Sequence, residues 1–181
     1  MVNIRSGLIG QKPTNPNDIY GYVLFGEQKE KEFVEILKKN GYNASINPVK
    51  GKNKYAPDLL VDGKLVDLKY QEDFFFKAEE KYGIPPHKLV SVNCSSFERY
   101  LKLYPDLIIM WWVNRKATTG YGITTESIRG VWKASVKKLK KIIDVNPITH
   151  WFRTRGYKGD RNKSNAYLFN LDQLDALSIN F

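Results

Sequence analysis

Two aspartates and a lysine stand close together in the stretch Pro57-Asp58-Leu59-Leu60-Val61-Asp62-Gly63-Lys64-Leu65-Val66-Asp67-Leu68-Lys69. Eight residues separate Asp58 from Asp67, and Lys69 follows two positions later. Carboxylate oxygens suit Mg²⁺, which prefers oxygen ligands and keeps several of its own waters. A metal held this way lowers the pKa of a bound water and screens charge on a phosphate. A neighbouring ammonium can orient or deprotonate that water, or steady the developing charge. Together these are the requirements for breaking a phosphodiester.

Something must bring the three side chains together. Two apolar runs flank Asp62-Gly63, a strong hairpin signal. Alternate residues of a strand share a face, so Leu65, Asp67, Lys69 and Gln71 point one way and Val66, Leu68 and Tyr70 the other. Asp67 and Lys69 are then roughly 6–7 Å apart along the strand. The turn folds Asp58 back toward them. Ahead of the hairpin, Gly26 to Lys39 reads as a helix with Phe33, Val34, Ile36 and Leu37 as its apolar stripe and Gly41 as its stop. Glu30 shares that face, and Glu27 lies one turn earlier as the alternative.

The remaining pattern is that of a single domain over residues 1–181. Residues 1–22 read as an irregular lead-in, with an ordered piece at Ile19 to Phe25. Residues 26–113 hold the core. Ala44 to Val49 suggests a strand, Phe74 to Tyr82 a helix, and Val90 to Val92 a strand. Ser95 to Leu103 suggests a capped helix, and Leu107 to Val113 a buried strand. Thr124 to Ile143 reads as one long helix, lined by Ile128, Val131, Trp132, Val136, Leu139 and Ile143. Tyr167 to Leu171 suggests a strand and Leu171 to Leu177 a final helix. The order predicts a mixed α/β domain with helices packed on a central sheet.

The string Pro57-Asp58, then Asp67-Leu68-Lys69, resembles the PD-(D/E)XK nuclease superfamily, which includes many restriction endonucleases and Holliday junction resolvases. The resemblance covers about Gly26 to Gln71. It implies a restriction endonuclease-like core, with a central mixed β-sheet flanked by helices. It also implies that Asp58 and Asp67 bind Mg²⁺, with Mn²⁺ as a substitute, and that Lys69 serves the attacking water. The helix acid of the family corresponds to Glu30, and Gln71 resembles the glutamine that follows the lysine in some branches. The implied activity is metal-dependent hydrolysis of double-stranded DNA by a homodimer, since one site cuts one strand.

Charge points the same way. The chain carries a formal net charge of +10, which favours a polyanionic partner. Between Arg129 and Lys163 eleven basic residues face only Asp144 and Asp160, so the excess belongs to one region. Residues 124–165 therefore read as a basic DNA-binding helix and loop. Lys133 and Lys137 stand on the helix, and Arg153, Arg155, Lys158, Arg161 and Lys163 in the loop. Lys50, Lys52 and Lys54 enter the hairpin directly and are placed to grip the backbone beside the scissile phosphate.

Several classes are disfavoured. No apolar run reaches the roughly 20 residues of a membrane span, and the N-terminus lacks a signal-peptide pattern. A lone cysteine, Cys94, excludes an internal disulfide and fits a cytoplasmic setting. No Cys/His cluster has zinc spacing, and no glycine loop has the Walker or dinucleotide pattern. The composition leaves open a sequence-reading enzyme, a shape-reading junction resolvase, a non-catalytic DNA-binding module and an RNA-binding protein. The sequence-reading enzyme is placed first, because the C-terminal loop mixes aromatic and basic residues.

Overall fold

The computed structural model describes residues 11–15, 18–53, 55–151 and 165–181. In chain order the elements begin with α1 (Ile19–Lys39), β1 (Ala44–Ile46), β2 (Leu59–Val61), β3 (Lys64–Gln71) and α2 (Ala78–Tyr82). Next come β4 (Leu89–Asn93), α3 (Cys94–Leu103), β5 (Ile108–Arg115), β6 (Thr118–Gly120), β7 (Ile123–Thr125) and β8 (Ile128–Ser135). The chain continues with α4 (Val136–Val145), β9 (Thr149–Trp151) and β10 (Asn165–Asn170). A single 3₁₀ turn, Leu171–Gln173, then leads into β11 (Asp175–Leu177).

Six strands form a mixed sheet in the order β1-β2-β3-β5-β8-β11. Within it β3 and β5 run parallel and the other neighbours antiparallel. A parallel pair needs a long crossover, supplied here by α2, β4 and α3. On one face of the sheet, Phe33, Val34 and Leu37 of α1 pack against Val66, Leu68, Met110 and Trp112. On the other face, Ile109, Trp111 and Val113 meet Val90, Phe97, Tyr100 and Phe169. Burying each such Phe or Leu contributes about 1.5–3 kcal/mol. β4, β10 and β9 make a second, three-stranded sheet, and β6 pairs with β7 as a ribbon. Among the described residues no helix is long and apolar enough to cross a membrane.

The hairpin forms where Asp62-Gly63 predicts it. Both residues have positive φ, 48° and 75°, as a two-residue turn of this hand requires. Asp62 is fixed further by Asn43: its backbone N–H donates to Asn43 O at 2.8 Å, and its Oδ1 accepts from Asn43 N–H at 2.9 Å.

Four expectations are corrected. The helix expected from Gly26 starts at Ile19, inside the supposed lead-in, where the Asp18 carboxylate accepts from Gly21 N–H at 2.8 Å. Residues 74–82 are helical only over Ala78–Tyr82. The long helix of residues 124–143 is instead β7, β8 and the first part of α4. Ser135 makes the break, since its hydroxyl accepts from Lys138 N–H at 3.1 Å and caps α4. The final helix of residues 171–177 is the 3₁₀ turn followed by β11, whose Ala176 pairs with Trp132.

Candidate active site

β3 carries the centre of the site. Its Val66 and Leu68 are sunk in the α1 face, and Leu65 packs into the opposite cluster with Ile109 and Trp111. Asp67 and Lys69 therefore stand on the α3 side, registered against Ile109 and Trp111 of β5. Asp67 is only 2% exposed. Its Oδ1 accepts a hydrogen bond from the Tyr100 hydroxyl at 2.6 Å. Its Oδ2 lies 2.6 Å from Lys69 Nζ, a close ion pair.

Asp58 reaches the same place from the position just before β2. Its Oδ2 accepts from the backbone N–H of Leu68 at 2.9 Å, which ties it to the residue between Asp67 and Lys69. The buried Asn47 holds the approach. Its side-chain amide donates to Pro57 O at 2.8 Å, and its backbone N–H donates to Asp58 O at 2.9 Å. Asp58 Oδ1 receives the Lys50 ammonium at 2.7 Å, and the same ammonium contacts Glu30.

Glu30 thus joins the cluster from α1. It is 9% exposed, whereas Glu27 one turn earlier is exposed, so Glu30 is the helix acid turned inward. Gln71 shares the face but is engaged elsewhere. It donates to Ser91 O and Oγ at 3.3 Å, and its Oε1 accepts from Arg115 at 3.1 Å. Its hydrogen bonds brace β3 against β4 and β5, and none of them reaches Asp67 or Lys69.

Electrostatics follow from this crowding. Burial, then the Asp58 charge, pushes the Glu30 carboxyl up to about 7, against the pull of Lys50. Burial also raises Asp67; Lys69 opposes this, Asp58 adds to it, and the Tyr100 hydrogen bond opposes it. Burial alone would lower Lys69, but Asp67 and its neighbours outweigh it and hold the amine above its ordinary value. Lys50 behaves likewise, with Asp58 and Glu30 overcoming burial. Both lysines are therefore cations at neutral pH.

Two side chains of this cluster have roles the sequence did not announce. Tyr100 read only as part of a capped helix. Lys50 read as a DNA-gripping residue, and the structure places it inside the carboxylate cluster. Lys52 is exposed on the same loop. Lys133 stands on β8 and Lys137 on α4, so they do not share one helix face. Lys137 is paired with Asp106 at 2.6 Å. Lys54, Arg153, Arg155, Lys158, Arg161 and Lys163 lie outside the described residues.

The donor set fits a hard divalent cation on two grounds. Asp67 Oδ2 already meets one cation, the Lys69 ammonium at 2.6 Å, and Asp58 another, the Lys50 ammonium. Among the described residues no group of three or more His, Cys, Asp or Glu side chains is arranged to hold a metal by itself. Two carboxylates with water and substrate oxygens completing the shell is the usual Mg²⁺ arrangement.

No family model matches the chain, and no curated protein matches it. A solved structure described as a nuclease from a fusselovirus aligns at 12% identity and a TM-score of 0.44, over 91% of this chain and 90% of that one. That likeness is too loose to carry fold or function across.

Proposed function

We propose that the chain is a Mg²⁺-dependent endonuclease that hydrolyses phosphodiester bonds of double-stranded DNA. One observation carries the reading: Asp58, Asp67 and Lys69 converge at the β2–β3 hairpin, with the buried Asp67 carboxylate against the Lys69 ammonium. Asp58 and Asp67 would hold the metal, which supplies charge neutralisation and an acidified water when bound. Lys69 is held as an ammonium beside Asp67 before any metal binds, and the part proposed for it is to stabilise negative charge building on the phosphate oxygens. Glu30, whose carboxyl is raised to about 7 with Lys50 beside it, can exchange a proton near neutral pH. Tyr100 holds Asp67 in one orientation through its Oδ1.

The net charge of +10 supports a nucleic-acid partner. We place a sequence-reading homodimer first and a four-way-junction resolvase second. Incubation of plasmid and synthetic junctions, with and without Mg²⁺, separates the two and tests the whole. Wild-type protein should cut only with the metal, with Mn²⁺ substituting, and Lys69→Ala should lose at least about a hundredfold in rate, the loss typical of a deleted charge-stabilising donor. Cleavage unaffected by chelation would falsify the metal reading. A non-catalytic DNA-binding module is favoured by one observation, the Lys50 ammonium sitting where a cation would neutralise Asp58 and Glu30. DNA binding without Mg²⁺-dependent cleavage would select it.

A further inference from the structure

Arg99, on α3, has an unusual environment for a partly buried guanidinium. Its Cζ lies 4.9 Å from the ring centre of Tyr55 and 5.1 Å from that of Tyr100. Its Nη2 makes one long hydrogen bond, 3.4 Å to Ser96 Oγ, and its buried Nε has no hydrogen-bond partner. Among the described residues no carboxylate lies within ion-pair distance of it. Of the other aromatic-contacting cations, Lys29 and Arg115 hold more partners than Arg99 does, and Arg129 lies 4.3 Å from the ring centre of Phe181. Lys29 lies over Phe25, Tyr70 and Trp112 but is paired with Glu32 at 2.7 Å. Arg115 lies over Phe74 but donates to His87 O, Leu89 O and Gln71 Oε1.

One of the two rings belongs to the candidate site, and the other stands close to it in the chain. Tyr100 carries Asp67 on its hydroxyl, and Tyr55 precedes Asp58 by three residues. Stacking occupies the faces of a guanidinium and orients it without cancelling its charge. Nε is buried, but among the described residues Nη1 makes no hydrogen bond and Nη2 makes only the long one to Ser96, so the terminal edge is left for a phosphate. Resting on the nuclease reading above, we propose that Arg99 is a substrate-binding residue that takes a backbone phosphate of the nucleic acid beside the one positioned over Asp58 and Asp67.

The test is the salt dependence of duplex-DNA affinity in EDTA, for wild type, Arg99→Ala and Arg99→Lys, with melting curves to confirm folding. Loss of one phosphate contact should reduce the slope of log K against log salt by about 0.9 in Arg99→Ala. Affinity should fall several-fold or more, while Arg99→Lys keeps the slope and loses part of the affinity. A packing role would not move the slope. Should Arg99→Ala fail to fold, Arg99→Gln keeps the side-chain length and takes its place. An unchanged slope in the folded neutral variant overturns the assignment. Wild-type protein that binds no DNA overturns it together with the nuclease reading. Wild-type protein that binds but never cuts removes only the nuclease reading, and the slope still decides Arg99.

Discussion

The candidate site has two halves that are held differently. On one side Asp67 is buried, with Tyr100 on one oxygen and Lys69 against the other, all supplied by β3 and the helix over it. On the other side Glu30 and Asp58 come from α1 and the lead-in to β2, and a loop lysine, Lys50, neutralises both. The first half is preorganised: its geometry comes from the sheet and exists before any ligand arrives. The second half is closed by a single side chain, the Lys50 ammonium, which under the proposed function a metal would displace. On the nuclease reading proposed above, the rigid half would fix the phosphate chemistry and the half closed by Lys50 would admit a metal.

Tyr100→Phe should show the largest effect, because it strikes the rigid half. The change leaves Asp67 Oδ1 buried without its donor, a loss of about 1–3 kcal/mol. At about 2–4 °C per kcal/mol for a chain of this size, a melting curve resolves it. The same hydrogen bond opposes the rise in the Asp67 pKa, so its removal moves protonation of Asp67 to higher pH. Cleavage should then need a more alkaline buffer or more Mg²⁺. A variant with wild-type stability and an unmoved pH profile would show that Tyr100 does not orient Asp67.

The contrast between the halves also marks what the sequence could reveal. Asp67 and Lys69 were placed on one face because β3 has one greasy side, Val66 and Leu68, and one mixed side, so its alternation survives. β8 offers no such alternation. Val131 is buried toward α1, while Ala134 and Trp132 pack on the opposite face between β5 and β11. A strand covered on both faces shows a run of apolar residues, and Val131, Trp132, Val136 and Leu139 then mimic helical spacing across the Ser135 break. Glu30 was legible because it shares a stripe with Phe33 and Val34. Lys50 was not, since nothing local to a Gly- and Lys-rich loop says which acids, eight and twenty residues away, will draw its ammonium in. The charge count was similarly local. Lys137 and Lys138 meet Asp106 and Asp175, acids that lie outside the segment whose charge was counted.

Lys50→Met addresses the second half, with a smaller expected effect. In metal-free protein it leaves Asp58 and Glu30 facing each other without a cation, so the apo form should melt earlier than wild type. Added Mg²⁺ no longer competes with an ammonium for Asp58 Oδ1. The metal should therefore raise the melting temperature of Lys50→Met by more than that of wild type, and reach its plateau at a lower concentration. Equal Mg²⁺ shifts in the two proteins would mean that Lys50 and the metal do not share a place.

The smallest effect is expected in the pH dependence that Glu30 gives to folding. Burial, then Asp58, raises its carboxyl from an ordinary value near 4.5 to about 7. Between those values the folded chain holds a proton that the unfolded chain has released. Stability from this group is thus fully present below pH 4.5 and declines as pH climbs through about 7. Glu30→Gln removes the titration while keeping the shape. Relative to wild type, the variant should show a flatter loss of melting temperature between pH 5 and pH 8 in metal-free buffer, where it also loses its contact with Lys50. Saturating Mg²⁺ should narrow the difference, because a cation near Asp58 offsets the charge that pushes Glu30 upward. Parallel curves for the two proteins across that range would show that Glu30 titrates alike folded and unfolded, and would leave the proton-exchanging role proposed for it without support.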